Sequence, residues 1–203
     1  MSSRISIIAL LLLASSAQPG HPANPRDPDW PCAQAKVPEI SLAAVWAGPP
    51  LDDVQDKWKD DANISSLVGR LAARRTPMEE AQKEITQYLA TATDKTRAAK
   101  LLFVGLFDTL NAQRFSVMNG LERATRKQRE AADMIRSATI ALQALQGASS
   151  PDQQKVNELS NQLTWETRIF EDRRRVVKFV CEVPTTIDQR LFALSRIIQQ
   201  EIE

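Results

Sequence analysis

Residues 107–145 read FDTLNAQRFSVMNGLERATRKQREAADMIRSATIALQAL, and their apolar or small residues recur at alternating steps of three and four. Phe107, Leu110, Val117, Leu121, Ala124, Ala131, Ile135, Ala138, Leu142 and Leu145 form the series, which only Arg114 and Gln128 interrupt. The same spacing returns at Val156, Leu159, Leu163, Glu166, Phe170, Arg173, Val177 and Val180. A sustained seven-residue repeat keeps one narrow stripe facing a partner helix, the requirement of a coiled-coil seam. Between the two runs lies Gly147-Ala148-Ser149-Ser150. So short a connection makes the helices antiparallel neighbours. Gly147 in the left-handed conformation is expected to close the first helix. Ser150, Pro151 and Gln153 read as the cap, first residue and capping-box partner of the second.

Setting Leu142 against Leu159 brings Glu166 level with Ile135 and within reach of Arg136. Arg173 then lies level with Gln128 near Glu130, and Cys181 level with Gly120, whose missing side chain leaves room for the N-terminal segment to cross. The first helix begins near Thr93 or Asp94 and outruns the second, so its start must pack on something else. No Phe, Trp or Tyr occurs between Ser116 and Thr164, so that part is a thin two-helix arm. Trp165, Phe170, Phe179 and Phe192 match Phe103, Phe107 and Phe115 at the other end. A second stripe at Trp165, Ile169, Val176, Phe179 and Val183 predicts burial by a further neighbour. The body is expected there.

The fold class is therefore all-α: a helical bundle body with a long protruding antiparallel coiled-coil hairpin. Residues 1–17 read as a signal peptide, with Arg4, an apolar run from Ile5 to Ala14, and small residues up to cleavage after Ala17. Residues 18–50 are a proline-rich lead and an ordered strap. Residues 51–203 are a single helical domain, with 120–181 as the hairpin arm. Six of the eleven prolines fall between Gln18 and Pro38, which excludes regular helix there. Trp30 and Trp46 are expected to anchor the strap by burial.

Ile40 to Trp46 suits a short turn of helix. Leu51 to Lys59 suits another, with Asp52, Asp53 and Asp56 on a solvated face. Ile64, Leu67, Val68, Leu71 and Ala72 mark a third helix, and Met78, Ala81, Ile85, Tyr88, Leu89 and Ala92 a fourth. Pro184 is expected to end the returning arm helix. Thr186 with Gln189 would cap a last helix, striped by Ile187, Leu191, Leu194, Ile198 and Ile202.

Export places the chain in an oxidising compartment, periplasmic or secreted, where Cys32 and Cys181 pair as a disulfide. Of 26 basic residues the signal removes Arg4 alone, which leaves 25 against 25 acidic ones. Balance of this kind gives no general attraction to nucleic acid, and no later segment is apolar enough to cross a membrane. The only histidine, His21, lies in the lead. Histidine triads and the usual zinc sites are thereby excluded from the folded part, and no phosphate-binding loop or metal-ligand spacing occurs. No catalytic residue, cofactor or metal is assigned.

One charge feature remains. Arg123, Arg126, Lys127 and Arg129 on the outgoing helix stand level with Arg173, Arg174, Arg175 and Lys178 on the return. They form a basic collar at the base of the arm, suited to lipid head groups or cell-wall polymer, unless Glu122, Glu130, Glu171 and Asp172 neutralise it. The expected function is that of a non-enzymatic periplasmic interaction or scaffold module, whose coiled-coil arm docks on an envelope protein. The alternatives are a binder of anionic envelope ligands through the collar, and an enzyme with a carboxylate site. Two protomers exchanging arms satisfy the same heptads, which makes a homodimer a second arrangement.

Overall fold

The computed structural model describes residues 27–203. The expected signal peptide, its cleavage site, His21 and most of the proline-rich lead lie outside the described residues. Among those described the fold is all-α, in the order α1 (Leu42–Val45), a 3₁₀ turn (Lys57–Asp60), α2 (Ala62–Ala72), α3 (Met78–Ala90), α4 (Lys95–Gln146), α5 (Gln153–Val180) and α6 (Glu182–Gln200).

At 52 residues α4 spans about 78 Å, and everything else is arranged along it. Asp94 caps it by accepting from the Arg97 amide at 2.9 Å. The far end differs from expectation. Gly147 stays right-handed at φ −84°, with its amide donating to Gln143 O at 3.0 Å, so no left-handed residue is needed. The cap of α5 is Asp152 rather than Ser150, and its carboxylate accepts from the Lys155 amide at 3.2 Å. A carboxylate at this position also faces the positive end of the helix dipole, an advantage that Ser150 lacks.

Beyond the arm, Pro184 does not end the return. Its missing N–H and bulky ring disturb only the junction at Cys181, which keeps helical angles of φ −59° and ψ −25°. Pro184 sits in the first turn of α6, where a proline costs no intrahelical hydrogen bond. The Thr186 hydroxyl donates to Glu182 O at 3.0 Å from within the helix instead of capping it. α5 and α6 therefore form one long return path along α4, and it is α6 that packs on the N-terminal half of α4.

The main core lies at that end. It gathers Ala98 to Leu110 of α4 with Ile187, Leu191, Leu194 and Ile198 of α6, the apolar faces of α2 and α3, and Trp46, which stacks on Phe103 at 4.3 Å. Each of those faces follows the spacing expected. The segment from Leu51 to Lys59 is less regular than its pattern suggests. Asp56 takes φ 60° there, and the chain turns so that Val54 is fully buried while Trp58 donates to Asp108 Oδ2 at 2.9 Å. Asp53 stays on the solvated face with Asp52 and Asp56, and from there its carboxylate pairs with the buried Lys100.

Arg114 interrupts the seam yet is buried. Its Nε donates to Asp188 Oδ1 at 2.8 Å and its Nη1 to Pro38 O at 3.2 Å, which joins α4, α6 and the strap at one point. Farther out, Gln128 Nε2 donates to Phe170 O at 3.1 Å across the seam. The expected cross-helix ion pairs do not form. Arg136 turns to Asp133 on its own helix, and Glu166 accepts from Gln162, since partners one turn away cost less side-chain ordering than partners on the facing helix.

Candidate binding face at the base of the arm

Where the arm meets the body, the strap crosses the hairpin. Cys32 and Cys181 are bonded, with Cα atoms 5.5 Å apart, and Trp30 packs with Met118, Leu121 and Cys181 in a small second core. The Trp30 indole donates to Gln34 O at 2.7 Å, and the Gln34 amide donates to the Cys181 carbonyl. Tryptophan burial here needs its N–H satisfied, and the strap folds back to do so. Gly120 has no part in this crossing. A Cβ added there would meet only Arg123 Nη2, at 3.9 Å, so the strap passes along another side of α4.

Which side it takes follows from its ion pairs. Asp29 accepts from Arg126 Nη1 at 2.6 Å and also pairs with Arg129, whose Nη1 donates to Pro28 O at 2.7 Å. Lys36 reaches Asp27 at 2.9 Å and also pairs with Glu122. The Arg126 and Arg129 guanidiniums hold the Asp29 carboxyl below its ordinary range, and Glu122 followed by Asp27 raises the Lys36 ammonium. At 3.6 residues per turn, Met118, Glu122, Arg126 and Arg129 share one side of α4. Gly120, Ala124 and Lys127 occupy the opposite side, which the strap leaves open.

The collar residues are thus divided. Arg126 and Arg129 fasten the strap. Arg174 pairs with Glu171 at 3.0 Å and Arg175 with Asp172, both within α5, as the neutralising alternative foresaw for those two acids. Glu122 instead serves Lys36. Among the described residues, Arg123, Lys127, Arg173 and Lys178 have no carboxylate within 4.0 Å. Lys127 and Arg173 come together on the open side, at the rim of a groove of about 670 Å³ between α4 and α5. Its walls are Val117, Leu121 and Ala124 from one helix and Val176, Val177 and Val180 from the other.

Asp29 was the residue that sequence reasoning missed. The signal for it was its position: Asp29 lies three residues before Cys32, and three extended residues reach about 10 Å from the disulfide, far enough to meet arginines of α4.

The stripe expected to be buried by a further neighbour is open. Trp165 is 63% exposed, Val176 57% and Phe179 77%, while Ile169 and Val183 are half-buried. Phe115 and Phe192 are also exposed, and of the aromatics matched across the hairpin only Phe103 is fully buried. The helices of the body pack beyond Pro184, on α6, and so never reach this side of α5. Met134, 62% exposed, lies on the corresponding side of α4. No family model, curated protein or solved structure matches the chain.

Proposed function

We propose that this chain is an exported, non-enzymatic interaction module whose arm docks on a helix of an envelope protein. The observation that carries this reading is the stripe of exposed Trp165, Val176 and Phe179 with half-buried Ile169 among them. Its steps of four, seven and three residues fit the alternating three-and-four spacing of the seam already paired with α4. A stripe with that period matches another helix better than it matches a flat or irregular surface. Tryptophan and phenylalanine are also among the residue types that dominate interface energetics, through the large apolar area that each buries. The Cys32–Cys181 disulfide is consistent with an oxidising extracytoplasmic setting, and among the described residues no helix is long and apolar enough to cross a membrane.

The test is positional. A photo-crosslinking residue placed at Trp165, Val176 or Phe179 should trap a discrete envelope protein, whereas one placed at Arg136 or Lys155 should not. The double variant Trp165→Ser, Phe179→Ser should abolish that product without lowering the melting temperature, because neither side chain belongs to a core. Crosslinks spread evenly over the arm, or unaffected by the double variant, would remove the reading.

A further inference from the structure

The groove beside Gly120 has a different character from the helix-spaced stripe. Its floor is apolar because Gly120 and Ala124, one turn apart on α4, face Val177 and Val180 with nothing filling the space between. A glycine inside an exposed helix costs about 1 kcal/mol relative to alanine, and no close backbone approach explains this one. Along α4 the groove runs from Val117 to Gln128, about 16 Å. Its volume falls within the range of about 300–1,000 Å³ found for small-molecule sites.

At the rim stand Lys127 and Arg173, one from each helix, with no carboxylate partner among the described residues. The one acid on the rim, Asp172, is engaged by Arg175. A narrow apolar floor with cations from both walls at its rim suits one long hydrocarbon chain and one anionic head.

We propose that this groove binds a single-chain amphiphile with an ionised carboxylate, of the fatty-acid class. The chain lies between Gly120, Ala124 and the valines of α5, and the carboxylate reaches Lys127 and Arg173. The site is separate from the docking stripe except at Val176, which borders both, and it does not depend on a protein partner.

Oleate is a direct probe, followed by calorimetry and by displacement of a fluorescent fatty acid from the full chain. Saturable binding of one oleate per chain, below its micelle concentration, is expected. Ala124→Leu fills the floor and should abolish binding while leaving helix content and melting intact. The double variant Lys127→Gln, Arg173→Gln should weaken oleate by roughly tenfold and flatten its salt dependence, with oleyl alcohol unaffected. Trp165→Ser, Phe179→Ser should leave oleate binding unchanged, which separates this site from the docking stripe. Absence of saturable binding, indifference to Ala124→Leu, or binding only to phosphatidylglycerol vesicles would each overturn the proposal.

Discussion

Two glycines on α4 show how a single residue type serves opposite ends. At Gly105 a Cβ would stand 2.6 Å from Val68 Cγ2 and 3.0 Å from the Trp58 ring, so its absence is what lets α2 and the 3₁₀ turn approach α4. At Gly120 it would touch only the flexible end of Arg123, at an ordinary 3.9 Å. Gly105→Ala should therefore destabilise the fold by about 1–3 kcal/mol through overpacking. Gly120→Ala should stabilise it by about 0.5–1 kcal/mol through reduced freedom of the unfolded chain. Urea denaturation of the two variants checks the pair, and equal signs would show that one of these environments is misread. Nothing in the sequence separates the two positions, because each is a lone glycine in a helical pattern. Seam residues were legible where glycines were not: Leu121, Val156 and Leu163 are buried as their spacing requires.

Among the elements, the arm is structurally independent of the body. The main core contains no buried residue between Leu110 and Ile187, so the outer hairpin contributes nothing to it. Removing residues 135–141 together with 160–166 takes one heptad from each helix and preserves the seam register. The shortened chain should keep a cooperative melt within about 3 °C of the parent, since distant sites add independently. Circular dichroism should register only the missing helix. A large drop in melting temperature would mean that arm and body fold as one unit. The hairpin was readable from its repeat, but its caps were not. Asp152 took the place expected of Ser150, and Pro184 proved compatible with α6, because only the local backbone path decides which of several competent residues occupies a cap. The fate of the second stripe was beyond reach for another reason. A stripe states that a helix has a face suited to burial, not whether this chain supplies the cover.

For the whole molecule, the strap lies across the base of the arm, where it is held by one covalent bond and a row of ion pairs. The bond closes a loop of 149 residues, which in the chain-entropy model stabilises by about 5 kcal/mol. Cys32→Ser with Cys181→Ser should lower stability by about 3–5 kcal/mol in urea denaturation. It should also speed hydrogen exchange across residues 27–38, an effect that salt increases, because Asp29 and Lys36 are then the main ties. Unchanged exchange would show that Trp30 alone holds the strap.

Acid attacks the same ties. The Asp29 carboxyl is lowered by Arg126 and Arg129, Asp53 by Lys100, Asp152 by the Lys155 amide, and Glu201 by Thr86 and then Lys95. A carboxyl lowered in the folded state stabilises above its unfolded value and loses that contribution as pH falls through the folded one. Asp188 acts the other way. Burial raises it in spite of Arg114, so the folded state binds its proton more readily and its contribution declines as pH rises through the raised value. With four groups against one, stability should fall between pH 5 and pH 2. Asp29→Asn should be less stable than the parent at pH 7, with the difference closing in acid. Parallel curves would show that Asp29 is not linked to folding.

The sequence by itself determined the helical class, the antiparallel hairpin, the faces of α2, α3 and α6, and the pairing of Cys32 with Cys181. All of these follow from periodicity along the chain or from a residue type that occurs only twice. Tertiary structure alone decided that α5 and α6 run on as one return path, that Asp29 takes two arginines from the collar, and that Trp165, Val176 and Phe179 remain uncovered. Those outcomes depend on which side of a helix a distant segment reaches. Periodicity marks the faces of a helix, but only the packed chain selects what lies against them.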